Sequence, residues 1–265
     1  MRGKSRRLAA GEKAPPCRGK AVLETEEYGA QRAANRADDA RATLDRAVRL
    51  FPDDPSNYVR LALFQRDMLD LEGALDSAAA GLEKHPDDLT LLRIAATVAR
   101  DLDRIDTAVK YGERILAQSP DSAQDRFIYA TLLDRARMDG PAAELYRDVV
   151  EKQRDNWAAM NNLALVLVRL KQEQQALTYA RRALQLQPEN PAVMHTLGFV
   201  LYKVGSLGEA ERLLRECCER CEELGNDAMD VKLQCHGSLA LVLEALGKTH
   251  EQKQLHERAL VIAEA

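Results

Sequence analysis

The chain has 265 residues, of which 46% are hydrophobic and 30% charged, with a formal net charge of −4 at neutral pH. No segment approaches 18 consecutive apolar residues, which excludes a membrane-spanning helix, and catalytic signatures are missing: there is no Gly-rich phosphate cradle, and His250-Glu251 has Gln254 where a metalloprotease helix needs a second histidine. Residues 1–20 carry seven Lys or Arg against one acid while the remainder is acidic, which marks 1–20 as a disordered basic tail rather than part of a packed core.

From Ala21 onward the chain reads as copies of one unit, in windows of 34 residues starting at Ala21, Pro55, Leu89, Ala123, Trp157 and Pro191. The first window, 21–54, is degenerate: Glu24, Glu26, Glu27 and Tyr28 stand where apolar or small residues belong, and only Arg41–Leu50 recovers a helical stripe, so this window is expected to cap the array. The windows from Pro55 and Leu89 are regular, with stripes through Tyr58, Leu61, Ala62 and Leu69, then Leu92, Ala95, Ala96, Ala99 and Leu102. In the next, Asp139-Gly140-Pro141 opens a helix with Pro in the first turn, where its missing N–H costs nothing.

The window from Trp157 is the best formed. Met160, Leu163, Ala164, Leu167 and Leu170 make one apolar stripe and Ala176, Leu177, Ala180, Ala183, Leu184 and Leu186 a second, each at helical spacing. Short polar Lys171–Gln175 turns the two helices back on each other, and Pro188 stops the second. Ala164 and Ala176 are small where two antiparallel helices come closest. The same logic recurs in every copy. The twentieth residues are Ala40, Ala74, Ala108, Ala142, Ala176 and Ala210, and the eighth are Tyr28, Ala62, Ala96, Ala130, Ala164 and Gly198. Pro52, Pro86, Pro120 and Pro188 end second helices, and the acids Asp53, Asp87, Asp121, Asp155, Glu189 and Glu223 are expected at the mouth of each following helix, where free N–H groups favour a carboxylate.

After Gly208 the register slips. A helix over Glu209–Leu224 runs past its expected stop, Gly225-Asn226-Asp227 turns, and a last copy, 225–265, restarts late with Leu239, Ala240, Leu243 and Gly247. The end HERALVIAEA leaves Leu255, Ala259 and Leu260 on one face with no further helix to cover them, a surface suited to self-association.

These alanines, small eighth residues and Pro-acid endings, with Asn162-Leu163-Ala164 and its echo Thr196-Leu197-Gly198, resemble the tetratricopeptide repeat family over Ala21 to the C-terminus. A related RNA-reading helical repeat has a 35-residue period, which the 34-residue register does not match. The resemblance implies an all-α, right-handed superhelix of about six and a half helix pairs, a single elongated body. It also implies that first helices line a concave groove, reached by the second, fifth, sixth, ninth, twelfth and thirteenth residues of each window. Those positions hold Arg60, Arg66, Arg93, Asn161, Asn162, Arg169, His195, Thr196, Phe199, Tyr202 and Lys203, a basic, amide-bearing and aromatic strip able to hold an extended peptide. The chaperone carboxylate clamp of one subset is absent, since Leu165, Thr97 and Phe199 follow Asn161, Arg93 and His195 at its spacing.

The expected function is a non-catalytic protein-protein interaction scaffold in the cytoplasm, with export the alternative if an upstream signal precedes this chain. Its partner is a protein or peptide, with no nucleic acid and no cofactor. Two further readings are an accessory or regulatory component of a bacterial secretion or polysaccharide-assembly system, because Asn190–Gly198 looks like runs in such proteins, and a self-associating structural module. Cys217, Cys218, Cys221, Cys235 and His236 have donor types for metal or redox work. All lie within predicted helices, and Cys217 and Cys218 continue the buried stripe of Leu213 and Leu214, so small apolar core thiols, free in a reducing compartment, are the expectation.

Overall fold

The computed structural model describes residues 37–225 and 229–255. The basic tail, Tyr28 with the rest of the first window before Ala37, the turn residues Asn226 and Asp227, and the final apolar residues Ala259 and Leu260 lie outside them. All regular structure among the described residues is helical: α1 Ala37–Leu50, α2 Pro55–Asp67, α3 Leu71–Lys84, α4 Leu89–Asp101, α5 Ile105–Gln118, α6 Ala123–Arg135, α7 Asp139–Lys152, α8 Trp157–Arg169, α9 Glu173–Leu186, α10 Pro191–Lys203, α11 Leu207–Leu224 and α12 Met229–Ala245. Residues 249–255 are again helical.

The chain divides into two units, Met1–Asp103 and Arg104–Ala265. The boundary falls between the two helices of the window that starts at Leu89, so α4 and α5 belong to different units. In the first unit α2 packs on α1, α3 and α4, and α3 on α4. In the second, each helix packs on its successor, and the first helices of successive windows, α6, α8 and α10, also touch one another, as α10 touches α12.

Each regular window begins a helix at its first residue, Pro55, Leu89, Ala123, Trp157 and Pro191. The alanine register explains how closely the helices approach: Ala40, Ala74, Ala108, Ala142, Ala176 and Ala210 are all fully buried, as are Ala62, Ala96, Ala130 and Ala164. Gly198 is the extreme case. A Cβ there would stand 2.6 Å from Cγ of Leu214 on α11, so the α10–α11 contact admits no side chain at all. In the second unit one continuous core runs from Ala130 to Leu243, with Tyr146, Met160, Leu163, Leu167 and Leu214 among its largest fully buried members.

Three expectations are corrected. The acids Asp53, Asp87, Asp121, Asp155 and Glu189 are not the caps. The capping side chain must reach forward to the N–H of the second or third helical residue, so it stands directly before the first helical residue. Asp54 accepts from Ser56 N, Asp88 from Leu91 N, Ser122 from Asp125 N, Asn156 from Ala159 N and Asn190 from Ala192 N, while Glu223 lies inside α11. The connection within the Trp157 window is shorter than Lys171–Gln175, because α9 already begins at Glu173. The long helix α11 likewise starts before Glu209, at Leu207.

That tight connection has a backbone cause. The fifteenth residue of each regular window is left-handed: Leu69 (φ 61°), Asp103 (φ 57°), Arg137 (φ 59°), Lys171 (φ 59°) and Gly205 (φ 81°). Only the last is glycine, the residue that takes this conformation without a Cβ penalty. Leu69 is 84% exposed, so its side chain contributes almost no packing to offset a left-handed cost of about 1–2 kcal/mol. Leu69→Gly is therefore expected to stabilise the fold by about 0.5–1 kcal/mol after the entropy of glycine in the unfolded chain is subtracted. A thermal unfolding midpoint above that of the unmodified chain checks it; a lower midpoint would mean that the Leu69 side chain is being used.

Candidate functional site

The residues expected to line a groove fall in both units, Arg60, Arg66 and Arg93 in the first and the other eight in the second. In the first, Arg66 stands 3.5 Å from Asp67, and Arg60 and Arg93 are half-buried and already engaged in interactions of their own. The second unit holds the denser arrangement.

There, α8 carries two adjacent amides with opposite fates. Asn162 donates through Nδ2 to Tyr146 Oη at 3.3 Å, and Tyr146, fully buried, feels the charge of Asp134. Burial, with the Asp134 charge beside it, pushes the Tyr146 phenol well above its ordinary value, so it stays neutral. Asn161 is only 8% exposed, yet its Oδ1 accepts from no group. A buried carbonyl without a donor costs about 1–3 kcal/mol.

Arg169, expected as a groove cation, ends the same network. It pairs with Asp134 and, at 2.8 Å, with Asp139. The three side chains are 21–27% exposed, and burial lifts Asp134 above the usual carboxylate range in spite of the guanidinium. Arg169 thus joins α8 to α6 and α7, and its charge is spent inside the fold. Asn162 and Arg169 are positioned by the protein itself; Asn161 is not.

On α10 the expected residues come together. His195 lies 2.9 Å through Nε2 from Ser238 Oγ of α12 and stacks on Phe199 with ring centroids 6.4 Å apart. Burial lowers its pKa to about 4, so it is neutral and contributes no cation to the strip. Thr196 is buried with its hydroxyl donating to the Ala192 carbonyl. Lys203 is exposed, with Nζ 5.1 Å from the Phe199 ring centroid and 5.2 Å from that of Tyr202. Phe199 and Tyr202 are half-buried, each presenting part of its ring. The face of α8 and α10 therefore presents two aromatic rings and one ammonium held between them, and the amide oxygen of Asn161 lies buried in α8 without a donor.

Two family models of the tetratricopeptide repeat match this chain, one over residues 59–123 and 142–191 and the other over 192–224. Together they cover more than half of it. The chain belongs to the tetratricopeptide repeat family. The tetratricopeptide repeat-containing protein PA4667 of Pseudomonas aeruginosa is 28% identical over 194 residues, 71% of this chain and 32% of that relative. The chain thus spans about a third of the relative's length. A tetratricopeptide repeat protein from Parabacteroides merdae has the same fold at a TM-score of 0.71 and 14% identity, covering 92% of this chain and 93% of that one. YrrB, described as a tetratricopeptide repeat protein with an unusual peptide-binding site, aligns at a TM-score of 0.57 and 16% identity, over 67% of this chain and 91% of its own. In the second unit the first helices α6, α8 and α10 are neighbours, and the position rule that gave the expected strip also picks out Phe127 and Asp134, which sequence reading passed over. Ser238 was beyond its reach, because α12 follows the register slip.

The cysteines divide. Cys218 and Cys221 are free, buried thiols, as expected for core positions, and burial raises both pKa values, that of Cys218 to about 12. Cys217 and Cys235 are instead joined as a disulfide, which corrects the expectation of free thiols throughout. The lengthened α11 brings Cys217 opposite Cys235 on α12, a juxtaposition that a 34-residue repeat does not contain. Among the described residues no helix is long and apolar enough to cross a membrane.

Proposed function

We propose that this protein is a non-catalytic interaction scaffold whose second unit binds an extended segment of a partner protein on the face of α8 and α10. The observation that carries the reading is Asn161 Oδ1, a buried acceptor without a donor, one helix away from the Phe199, Tyr202 and Lys203 group. An extended peptide supplies what the face lacks: a backbone N–H for Asn161, an apolar side chain for Phe199 and Tyr202, and a carboxylate for Lys203. Rigid helices present these groups, so little ordering of the scaffold opposes binding. The peptide-binding site named for YrrB, a protein of the same fold, supports the same class of ligand. The working compartment on this reading is the cytoplasm, with the Cys217–Cys235 pairing the feature that instead suits an exported chain.

The test is affinity capture of partners with mass spectrometry, using the chain and its Asn161→Ala and Asn162→Ala variants. Asn161→Ala is expected to lose the partner with the fold intact, because it removes a group the protein does not use internally. Asn162→Ala is expected to retain the partner while losing some stability through Tyr146. Equal recovery with all three proteins would place the binding surface elsewhere.

A further inference from the structure

Three sulfurs with no part in the proposed binding face meet between α11 and α12. Cys217 and Cys221 stand one turn apart on α11, Cys235 comes from α12, all three residues are fully buried, and their Sγ atoms lie within 4.8 Å of one another. The disulfide accounts for two of them. It does not account for Cys221, whose free thiol sits against the bridge. Cys217 Sγ also lies 3.4 Å from the Pro191 carbonyl, and the neighbouring Cys218 Sγ is 3.7 Å from His236 Nδ1, which donates to the Lys232 carbonyl.

Metal–thiolate bonds of about 2.3 Å place the sulfurs of one ion roughly 4 Å apart, inside the spread observed. Sulfur donors alone select soft ions over Mg, Ca or Mn. We propose that, in the dithiol form, Cys217, Cys221 and Cys235 bind one thiophilic d10 metal ion, Zn(II) or Cu(I), so that ion and disulfide are alternative closures of the α11–α12 pair. Opening the disulfide takes two electrons and two protons from a reducing dithiol, which itself becomes a disulfide. Binding then replaces three thiol protons with the ion, so affinity falls as pH falls.

The experiment uses the full chain, reduced with a phosphine without oxygen, desalted, and titrated with Zn(II) and separately with Cu(I) as its acetonitrile complex, each against a chromophoric competing chelator. One equivalent of at least one ion is expected per chain, with three thiols protected from alkylation, and the arm that competes better names the ion. Cys17→Ser is expected to leave this unchanged. Cys221→Ser, which retains both disulfide cysteines, is expected to weaken binding at least a hundredfold, with helix content by circular dichroism verifying that each protein is folded. Failure of both ions to compete, or equal affinity in Cys221→Ser, overturns the proposal.

Discussion

Replacing Arg169 with Met is expected to destabilise the second unit by about 2–3 kcal/mol at neutral pH, with the deficit shrinking as the solution is made acid. Arg169 is the cation between Asp134 and Asp139, and its removal leaves two partly buried carboxylates facing each other. Breaking a fully buried pair costs about 3–5 kcal/mol; the remaining exposure of these side chains lowers that figure. Asp134 already titrates above the usual carboxylate range because of burial, and Arg169 is the strongest influence opposing the shift. Without it the folded-state pKa rises further above the unfolded value. A carboxyl shifted in that direction contributes stability that is fully present below the unfolded pKa and is lost as pH rises through the folded pKa. Chemical unfolding of the variant and the unmodified chain between pH 4 and pH 8 checks this, and a pH-independent difference would contradict it. Adding Asp134→Asn to the variant is expected to restore part of the loss at neutral pH.

Gly198→Ala is expected to cost about 2 kcal/mol, although alanine is the better helix former by about 1 kcal/mol. Two terms compete. The new Cβ would stand 2.6 and 2.7 Å from Cγ and Cδ2 of Leu214, and Leu214 is fully buried, so it has no space into which to move. Overpacking of this kind costs about 1–3 kcal/mol, and contact with the inner Cγ rather than a free methyl puts the site at the upper end. Gly140, in the first turn of α7, is the control. A Cβ there meets nothing within 4 Å, so Gly140→Ala is expected to stabilise by up to about 1 kcal/mol. Opposite shifts of the two unfolding midpoints are the expected result; two upward shifts would mean that α10 and α11 separate easily.

How much of this was legible in the sequence depends on whether a feature repeats. Pro55, Leu89, Ala123, Trp157 and Pro191 begin helices, and the six alanines from Ala40 to Ala210 are buried, because each copy solves the same packing problem with the same residue. The left-handed corners were illegible, since Leu69, Asp103, Arg137 and Lys171 occupy them with no glycine to mark the position; only Gly205 advertises it. The caps were misplaced by one residue because both positions carry polar residues. The network of Arg169 escaped for another reason. Its carboxylates are 35 and 30 residues away, spacings that follow from how neighbouring helices cross and not from the period. The strip of candidate residues was therefore readable as a face, while which of its members remain available to a ligand was not: Arg169 and Asn162 are engaged within the fold, His195 is neutral and bonded to Ser238, and Asn161 alone is left with an unused oxygen.

The central claim is that this face of α8 and α10 binds an extended partner segment. Its most direct measurement is the calorimetric affinity of a captured partner segment for the chain and for the Asn161→Ala, Phe199→Ala and Lys203→Ala variants, with Arg181→Ala on α9 as the control. Each of the three is expected to weaken binding about tenfold, a loss of about 1.4 kcal/mol, with Arg181→Ala unchanged. A segment held as tightly by all three folded variants as by the unmodified chain would contradict the account.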